Sequence, residues 1–276
     1  MEICTAAALT ALLSDKQQCA NLKELELRGR EINSLPAEIA NLSSLEKLRL
    51  SGTEVIELPK ELGQLTKLTK LELDMSGTKR LPAEIGNLVC LDTLSIDYPA
   101  MTTLPTQITA LPNLKRLDFT SCENDALPEQ IWQITSLEKL NLSSTCDEIE
   151  TLSAEIGNLI NLKQLILNGC CLQELPIEIG KLVSLETLDL SDNVCLNQLP
   201  TEIGDLSQLK ELNLYCCELE VLPKEIGKLT NLLKLDLSYS LLTELPDEIE
   251  NLIALQSLGL RDLQLTNIPK SLAHFA

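Results

Sequence analysis

The chain has 276 residues, of which 44% are hydrophobic but only 2% are aromatic, so its core must be aliphatic. It carries 22 Lys and Arg against 41 Asp and Glu, which gives a formal net charge of −19 at pH 7. Because such a surface repels polyanions, we expect no nucleic-acid partner. The sequence also lacks an apolar run of about 18 residues, so we expect no membrane insertion.

The first 21 residues precede any repeat. Ile3, Leu9, Leu12 and Leu13 can lie on one face of a helix in this segment. Unlike a secretory signal, it has no basic residue before Lys16. We therefore predict a helical cap over residues 1–21 that covers the first coil of a repeat domain.

From residue 22 onward, one pattern recurs about every 23 residues. Residues 162–184 show it most clearly, as LKQLILNGCCLQELPIEIGKLVS. A period of this length with L-x-x-L-x-L spacing indicates a leucine-rich repeat solenoid, an α/β right-handed horseshoe. We expect ten full repeats and a truncated eleventh over residues 22–276. The first leucines of the repeats are Leu22, Leu45, Leu68, Leu91, Leu114, Leu137, Leu162, Leu185, Leu209, Leu232 and Leu255.

The first half of each repeat alternates apolar and polar residues, as in a strand. In residues 162–184, Leu165 and Leu167 should point inward while Gln164 and Ile166 point outward. Strands of successive coils would pair in parallel, and their outward residues would form one concave sheet. The outward positions carry acids and bases in nearly equal number, which suits a protein partner better than a polyion.

The second half of each repeat reads L-P-x-E-I-G-x-L. Proline suits the first position of a helical turn, and a glutamate in that turn meets free N–H groups and the positive end of the dipole. We predict short helical turns on the convex side, with Ile179 and Leu182 facing the core. Residues 97–151 break the pattern, and we expect them to bulge at the rim of the sheet.

Motifs for catalysis, cofactors or metals do not appear in the sequence. His274 is the single histidine, so a Ser-His-Asp or Cys-His arrangement within the repeats would need the chain end to fold back. There is no Gly-rich phosphate loop, HExxH pair or EF-hand loop. We therefore predict no catalytic, cofactor or metal site, and a protein that is not an enzyme.

The ten cysteines are the main chemical ambiguity. They do not cluster at the two ends, which favours reduced thiols and a cytoplasmic location. Cys122, Cys170 and Cys217 fall eight positions after the first leucine, where many leucine-rich repeats place a buried asparagine, and should turn inward. The alternative is a redox- or metal-responsive site at the adjacent pairs Cys170-Cys171 and Cys216-Cys217.

The predicted binding surface depends on exposure rather than on a motif. Apolar or aromatic residues on or beside a polar concave face are common anchors of protein contacts. Isolated exposed apolar residues are also ordinary, so packing alone remains the alternative. The candidate partner-binding residues are Ile166, Asp189, Asn213, Tyr215, Asp236, Tyr239, Arg261 and Tyr98.

The repeat sequence resembles known families. LPAEIGNLVCLDTLSI at 81–96 and LPKEIGKLTNLLKLDL at 222–237 are similar to the Ras-group, scribble-like intracellular leucine-rich repeats. SGT at 51–53 and NGC at 168–170 resemble the strand ends of plant resistance receptors, and related repeats occur in bacterial proteins. The resemblance implies a non-enzymatic scaffold, with a monomer favoured, that binds a protein partner in intracellular signalling. The alternatives are a receptor fragment, or a secreted bacterial effector that acts inside a host cell.

Overall fold

The computed structural model describes residues 1–75, 77–98, 101, 103–121, 127–144 and 150–266. The chain forms two compact units, Met1–Leu137 and Glu138–Ala276. Each unit is a stack of the coil that the repeat pattern predicts, with parallel strands in chain order on one side and short 3₁₀ turns in the return half. The fold class, an α/β leucine-rich repeat solenoid, is therefore confirmed.

The first unit contains two helices and six parallel strands among its described residues. Leu48 of β3 lies between Leu25 of β2 and Leu71 of β4, and all three are buried, so the first strand leucines stack in one row. The helices are α1 (Ala6–Ser14) and α2 (Lys16–Asn21), and the strands are β1 (Glu2–Ile3), β2 (Glu24–Arg28), β3 (Lys47–Ser51), β4 (Lys70–Asp74), β5 (Thr93–Asp97) and β6 (Arg116–Thr120).

The segment before the first repeat is only partly helical. Helix α1 begins at Ala6, where the Thr5 side chain accepts the backbone N–H of Ala8 at 3.2 Å, and it buries Leu9, Leu12 and Leu13. The prediction that Ile3 shares this helical face is wrong. Ile3 lies in β1 and pairs with β2, because an extended segment can bond the open edge of the sheet.

The second unit has six shorter parallel strands. Leu188 of β9 lies between Leu165 of β8 and Leu212 of β10, so the leucine row has the same form here. Its strands are β7 (Lys139–Asn141), β8 (Gln164–Ile166), β9 (Thr187–Asp189), β10 (Glu211–Asn213), β11 (Lys234–Asp236) and β12 (Ser257–Gly259).

The return halves are 3₁₀ turns of five residues, as expected for short helical pieces. Pro176 flanks its turn rather than occupying the first turn position, while Glu178 lies in the first turn and Ile179 and Leu182 are buried. The turns are Ala37–Asn41, Lys60–Gln64, Ala83–Asn87, Thr106–Ala110, Glu129–Gln133, Ala154–Asn158, Ile177–Lys181, Thr201–Asp205, Lys224–Lys228 and Asp247–Asn251.

Much of the irregular segment 97–151 lies outside the described residues, so the predicted bulge stays a prediction. The parts that are described include β6, the turn Glu129–Gln133 and β7. Trp132 on that turn is 3% exposed and packs into the core. In the described part of the chain, no helix has the length and apolar character needed to cross a bilayer.

Candidate recognition surface

A residue with a left-handed backbone follows every strand of the repeats. It falls seven positions after the first leucine, where the chain turns out of the sheet. A side chain other than glycine costs roughly 1–2 kcal/mol in this conformation. Bulky residues at this position are therefore not explained by the backbone. The eleven residues are Gly29, Gly52, Met75, Tyr98, Ser121, Ser144, Gly169, Asp192, Cys216, Tyr239 and Asp262.

Two bulky members of this column lie on adjacent coils of the first unit. Met75 and Tyr98 have φ angles of 46° and 53°, and their side chains are 63% and 52% exposed. Their strands β4 and β5 pair directly. Neither side chain compensates the backbone cost by deep burial, and strained backbone under exposed residues is a known sign of function. Tyr98 is one of the predicted binding residues.

The second unit brings two predicted tyrosines into contact. The rings of Tyr215 and Tyr239 have centroids 5.1 Å apart and an interplanar angle of 65°, which is an edge-to-face arrangement. They are 39% and 44% exposed. A hydrogen bond with Asp262 raises the pKa of the Tyr239 phenol, and the charge of Asp262 acts in the same direction. Together the rings form an exposed aromatic pair at the strand exits.

Three of the predicted polar residues also stabilise the backbone at the strand ends, which the sequence reasoning missed. The Oδ1 atoms of Asp189, Asn213 and Asp236 accept the backbone N–H two residues later, at 3.0, 3.1 and 2.9 Å. In these Asx turns the side chain takes a backbone N–H just beyond the strand end, and the strands of this unit end two residues earlier than those of the first. The recurring Asn or Asp before the turn was a signal that could have revealed them.

An open hollow of about 840 Å³ lies on the strand face beside the tyrosine pair. It forms where Gly259 occupies the column position of Asp236 and contributes no side chain of its own. The Asp236 carboxylate lies so close to Gly259 that a Cβ added to Gly259 would clash with it. The predicted binding residues that line the hollow are Asn213, Tyr215, Asp236 and Arg261.

The remaining predicted residues are distributed differently. Arg261 is exposed, and its backbone N–H donates to Ser238 Oγ at 3.2 Å. Ile166 is half-buried in β8, between Asn141 and Asp189, and two strands away from β10. The structure therefore gathers Asn213, Tyr215, Asp236, Tyr239 and Arg261, but it does not place Ile166 in this cluster. Tyr98 belongs to the other unit.

The inward cysteine column is confirmed at two of its three predicted positions. Cys170 and Cys217 are buried, and their Sγ atoms donate to the carbonyls of Leu142 and Leu190 at 3.0 and 3.1 Å. Burial raises the pKa of the Cys217 thiol to about 12. A buried thiol held in its neutral form is a poor nucleophile. Cys122 lies outside the described residues.

The other thiols beside this column differ in exposure. Cys171 and Cys216 are half-buried, and Cys195 is exposed. Among the described residues, no group of three or more His, Cys, Asp and Glu side chains is placed to hold a metal ion. Cys146 and His274 fall outside those residues. The redox or metal hypothesis thus stays a prediction.

Comparison with known proteins defines the class. The sequence model of a leucine-rich repeat region matches residues 70–168 and 144–239, which together cover more than half of the chain. The chain therefore belongs to the leucine-rich repeat family. This fold typically serves as a non-enzymatic scaffold for interactions with proteins. Among curated proteins, none matches the sequence significantly.

Several solved leucine-rich repeat structures are similar to this chain. A leucine-rich repeat protein of Leptospira interrogans is 32% identical, with a TM-score of 0.72 over 100% of this chain and 74% of its own. The leucine-rich repeat domain of the type III effector XopL is 27% identical, with a TM-score of 0.62 over 72% of this chain and 70% of its own. The Arabidopsis receptor kinase HAESA, solved with the peptide hormone IDA and the co-receptor SERK1, is 24% identical. Its TM-score of 0.65, over 89% of this chain and 43% of its own, shows the fold alone.

Proposed function

We propose that this protein is a non-enzymatic recognition module that binds a protein partner through the Tyr215–Tyr239 pair. The observation that carries the proposal is the contact itself. Two large rings, 39% and 44% exposed, lie 5.1 Å apart beside an open hollow. Exposed aromatic residues with a polar surround are the usual centres of protein interfaces.

The backbone supports the same proposal. Tyr239 has a φ of 60°, a conformation that favours glycine, asparagine or aspartate. A tyrosine at this position gives up backbone stability while its ring stays exposed. A contact made with a partner explains why the position carries a ring. Arg261 and the free atoms of Asn213 and Asp236 would then provide the polar rim of the interface.

A double substitution tests the proposal. Affinity purification with the wild-type chain identifies candidate partners, and each is then purified and titrated against wild type and Tyr215→Ala/Tyr239→Ala. We expect the variant to keep its circular dichroism spectrum and its Kd to rise at least about tenfold, as for hot-spot residues. The matched control is Ile177→Ala/Val221→Ala, which removes two exposed apolar side chains elsewhere in the unit.

The control should bind as the wild type does. Equal affinity of the wild type and the tyrosine variant for every purified partner would refute the proposed surface. Size-exclusion chromatography with light scattering tests the monomer that we favour. A monomer has a mass of 30.4 kDa, and a stable dimer would have twice that mass.

The setting in which the protein acts has two candidates. The Ras-group resemblance favours a cytoplasmic signalling scaffold. The 27% identity to the repeat domain of a type III effector favours a secreted bacterial protein that acts inside a host cell. A translocation assay, with the chain fused to a reporter that is active only in host cytoplasm, separates the two. A signal that depends on the secretion apparatus supports the effector, and its absence favours the scaffold.

A further inference from the structure

We infer that the partner presents a basic segment, and that the Tyr215–Tyr239 pair receives one of its lysine or arginine side chains. The inference rests on the proposed function and names the chemistry of its partner. It is carried by the arrangement of charges around the two rings.

Two exposed carboxylates bracket the aromatic pair. Asp192 lies in the left-handed column one coil before Tyr215, and its backbone N–H donates to the Tyr215 carbonyl at 2.8 Å. Asp262 lies one coil after Tyr239 in the same column. Both side chains are exposed, and among the residues that the structure describes neither takes part in an ion pair. Their charges are therefore available to a ligand.

The neighbouring strand ends add to this negative potential. Asp189 and Asp236 are half-buried at the ends of β9 and β11 and share the same exit edge. Arg261 is the base at the strand exits of these coils. The nearby Lys234 is already bound to Glu211 at 2.6 Å and contributes no net charge. Four carboxylates against one guanidinium leave the edge negative and attractive to cations.

The rings can contact a cation directly. An aromatic face carries a negative quadrupole, and an ammonium or guanidinium group within about 6 Å of the ring centre is attracted to it. In an edge-to-face pair, one ring uses its edge against one face of the other. The remaining faces can take a cationic side chain while the bracketing carboxylates balance its charge.

The test uses a phage-displayed random dodecapeptide library, selected on the immobilised full chain. Recovered peptides are synthesised and titrated against wild type, Tyr215→Ala/Tyr239→Ala and Asp192→Asn/Asp262→Asn. Asparagine tolerates the left-handed backbone and has nearly the size of aspartate, so the second variant removes charge alone. The control Glu225→Gln/Glu248→Gln removes two charges from the return-half turns.

We expect the tyrosine-dependent peptides to be enriched in Lys and Arg. Asp192→Asn/Asp262→Asn should raise their Kd about three- to tenfold, and the control less than about twofold, because exposed charges interact weakly unless they are close. The difference between wild type and the asparagine variant should shrink at high salt.

Two outcomes overturn the inference in different ways. Tyrosine-dependent peptides that are acidic or uncharged, or that bind Asp192→Asn/Asp262→Asn as tightly as wild type, would refute the basic partner while leaving the proposed surface intact. If no recovered peptide depended on the tyrosines, the proposed surface would fail together with the inference.

Discussion

The side-chain oxygen of Asn193 accepts the backbone N–H of Cys170 from the preceding coil at 3.2 Å. The same oxygen accepts the N–H of Leu172 at 3.0 Å, while its Nδ2 donates to the carbonyls of Leu167 and Leu190 at 2.9 and 2.7 Å. Asn193 is fully buried. One side chain thus satisfies four backbone groups that water cannot reach, in two consecutive coils.

Substituting Asn193 should therefore be among the most damaging single changes in the second unit. Asn193→Ala removes four hydrogen bonds from buried backbone groups, and we expect the free energy of unfolding to fall by about 3 kcal/mol or more. Urea denaturation followed by circular dichroism measures the change. Asn197→Ala, at an exposed position of the same coil, is the control and should change stability by less than about 0.5 kcal/mol. Similar losses for both variants would contradict this role.

The buried Cys217 thiol should make stability depend on alkaline pH. In the unfolded chain the thiol loses its proton near pH 9, whereas in the folded protein its pKa is raised to about 12 by burial. Between these values the folded state holds one more proton, so the free energy of unfolding should fall by up to about 1.4 kcal/mol per pH unit.

The matched variant is Cys217→Ser, whose hydroxyl can still donate to Leu190 but does not ionise in this range. Other groups titrate equally in both proteins, so the difference between their stability curves reports the thiol alone. Parallel curves from pH 9 to pH 11 would show that the thiol is not held in its neutral form.

Two glycines should respond to alanine for different reasons. At Gly204 a Cβ would lie 2.5 Å from the Glu225 carbonyl oxygen and 2.9 Å from its Cβ, so the 3₁₀ turns of two coils could not keep their spacing. We expect Gly204→Ala to cost about 2–3 kcal/mol, as overpacking does.

Gly52→Ala is the matched comparison. At Gly52 there is open space, but φ is +60°, so its alanine variant should cost only about 1 kcal/mol of backbone strain. Equal costs in thermal or urea denaturation would mean that the turns can separate to admit a methyl group.

Tyr98 should be replaceable without loss of stability. Its backbone has a φ of 53°, which asparagine adopts more readily, and its ring is 52% exposed. Tyr98→Asn should leave the free energy of unfolding unchanged or raise it by up to about 1 kcal/mol. A decrease in the free energy of unfolding of more than about 1 kcal/mol would show that the Tyr98 ring stabilises the unit by packing on it.

The sequence by itself determined the coil. Its period, the buried leucine row and the inward column at Cys170 and Cys217 all follow from residues that repeat, because every coil must fill the same space in the same way. The Asx turns at Asp189 and Asp236 were also within reach of the sequence, since their residue types recur at one position.

Only the tertiary structure decided which of the predicted residues lie together. Tyr215 and Tyr239 occupy different positions of their repeats, and their contact depends on how two backbone turns direct the rings across a pair of coils. Ile166 was predicted on equal grounds, yet strand order places it two strands away from β10. Periodicity fixes the core because packing repeats, whereas a binding surface is made of the residues that depart from the repeat, and their grouping depends on distances that only the folded chain defines.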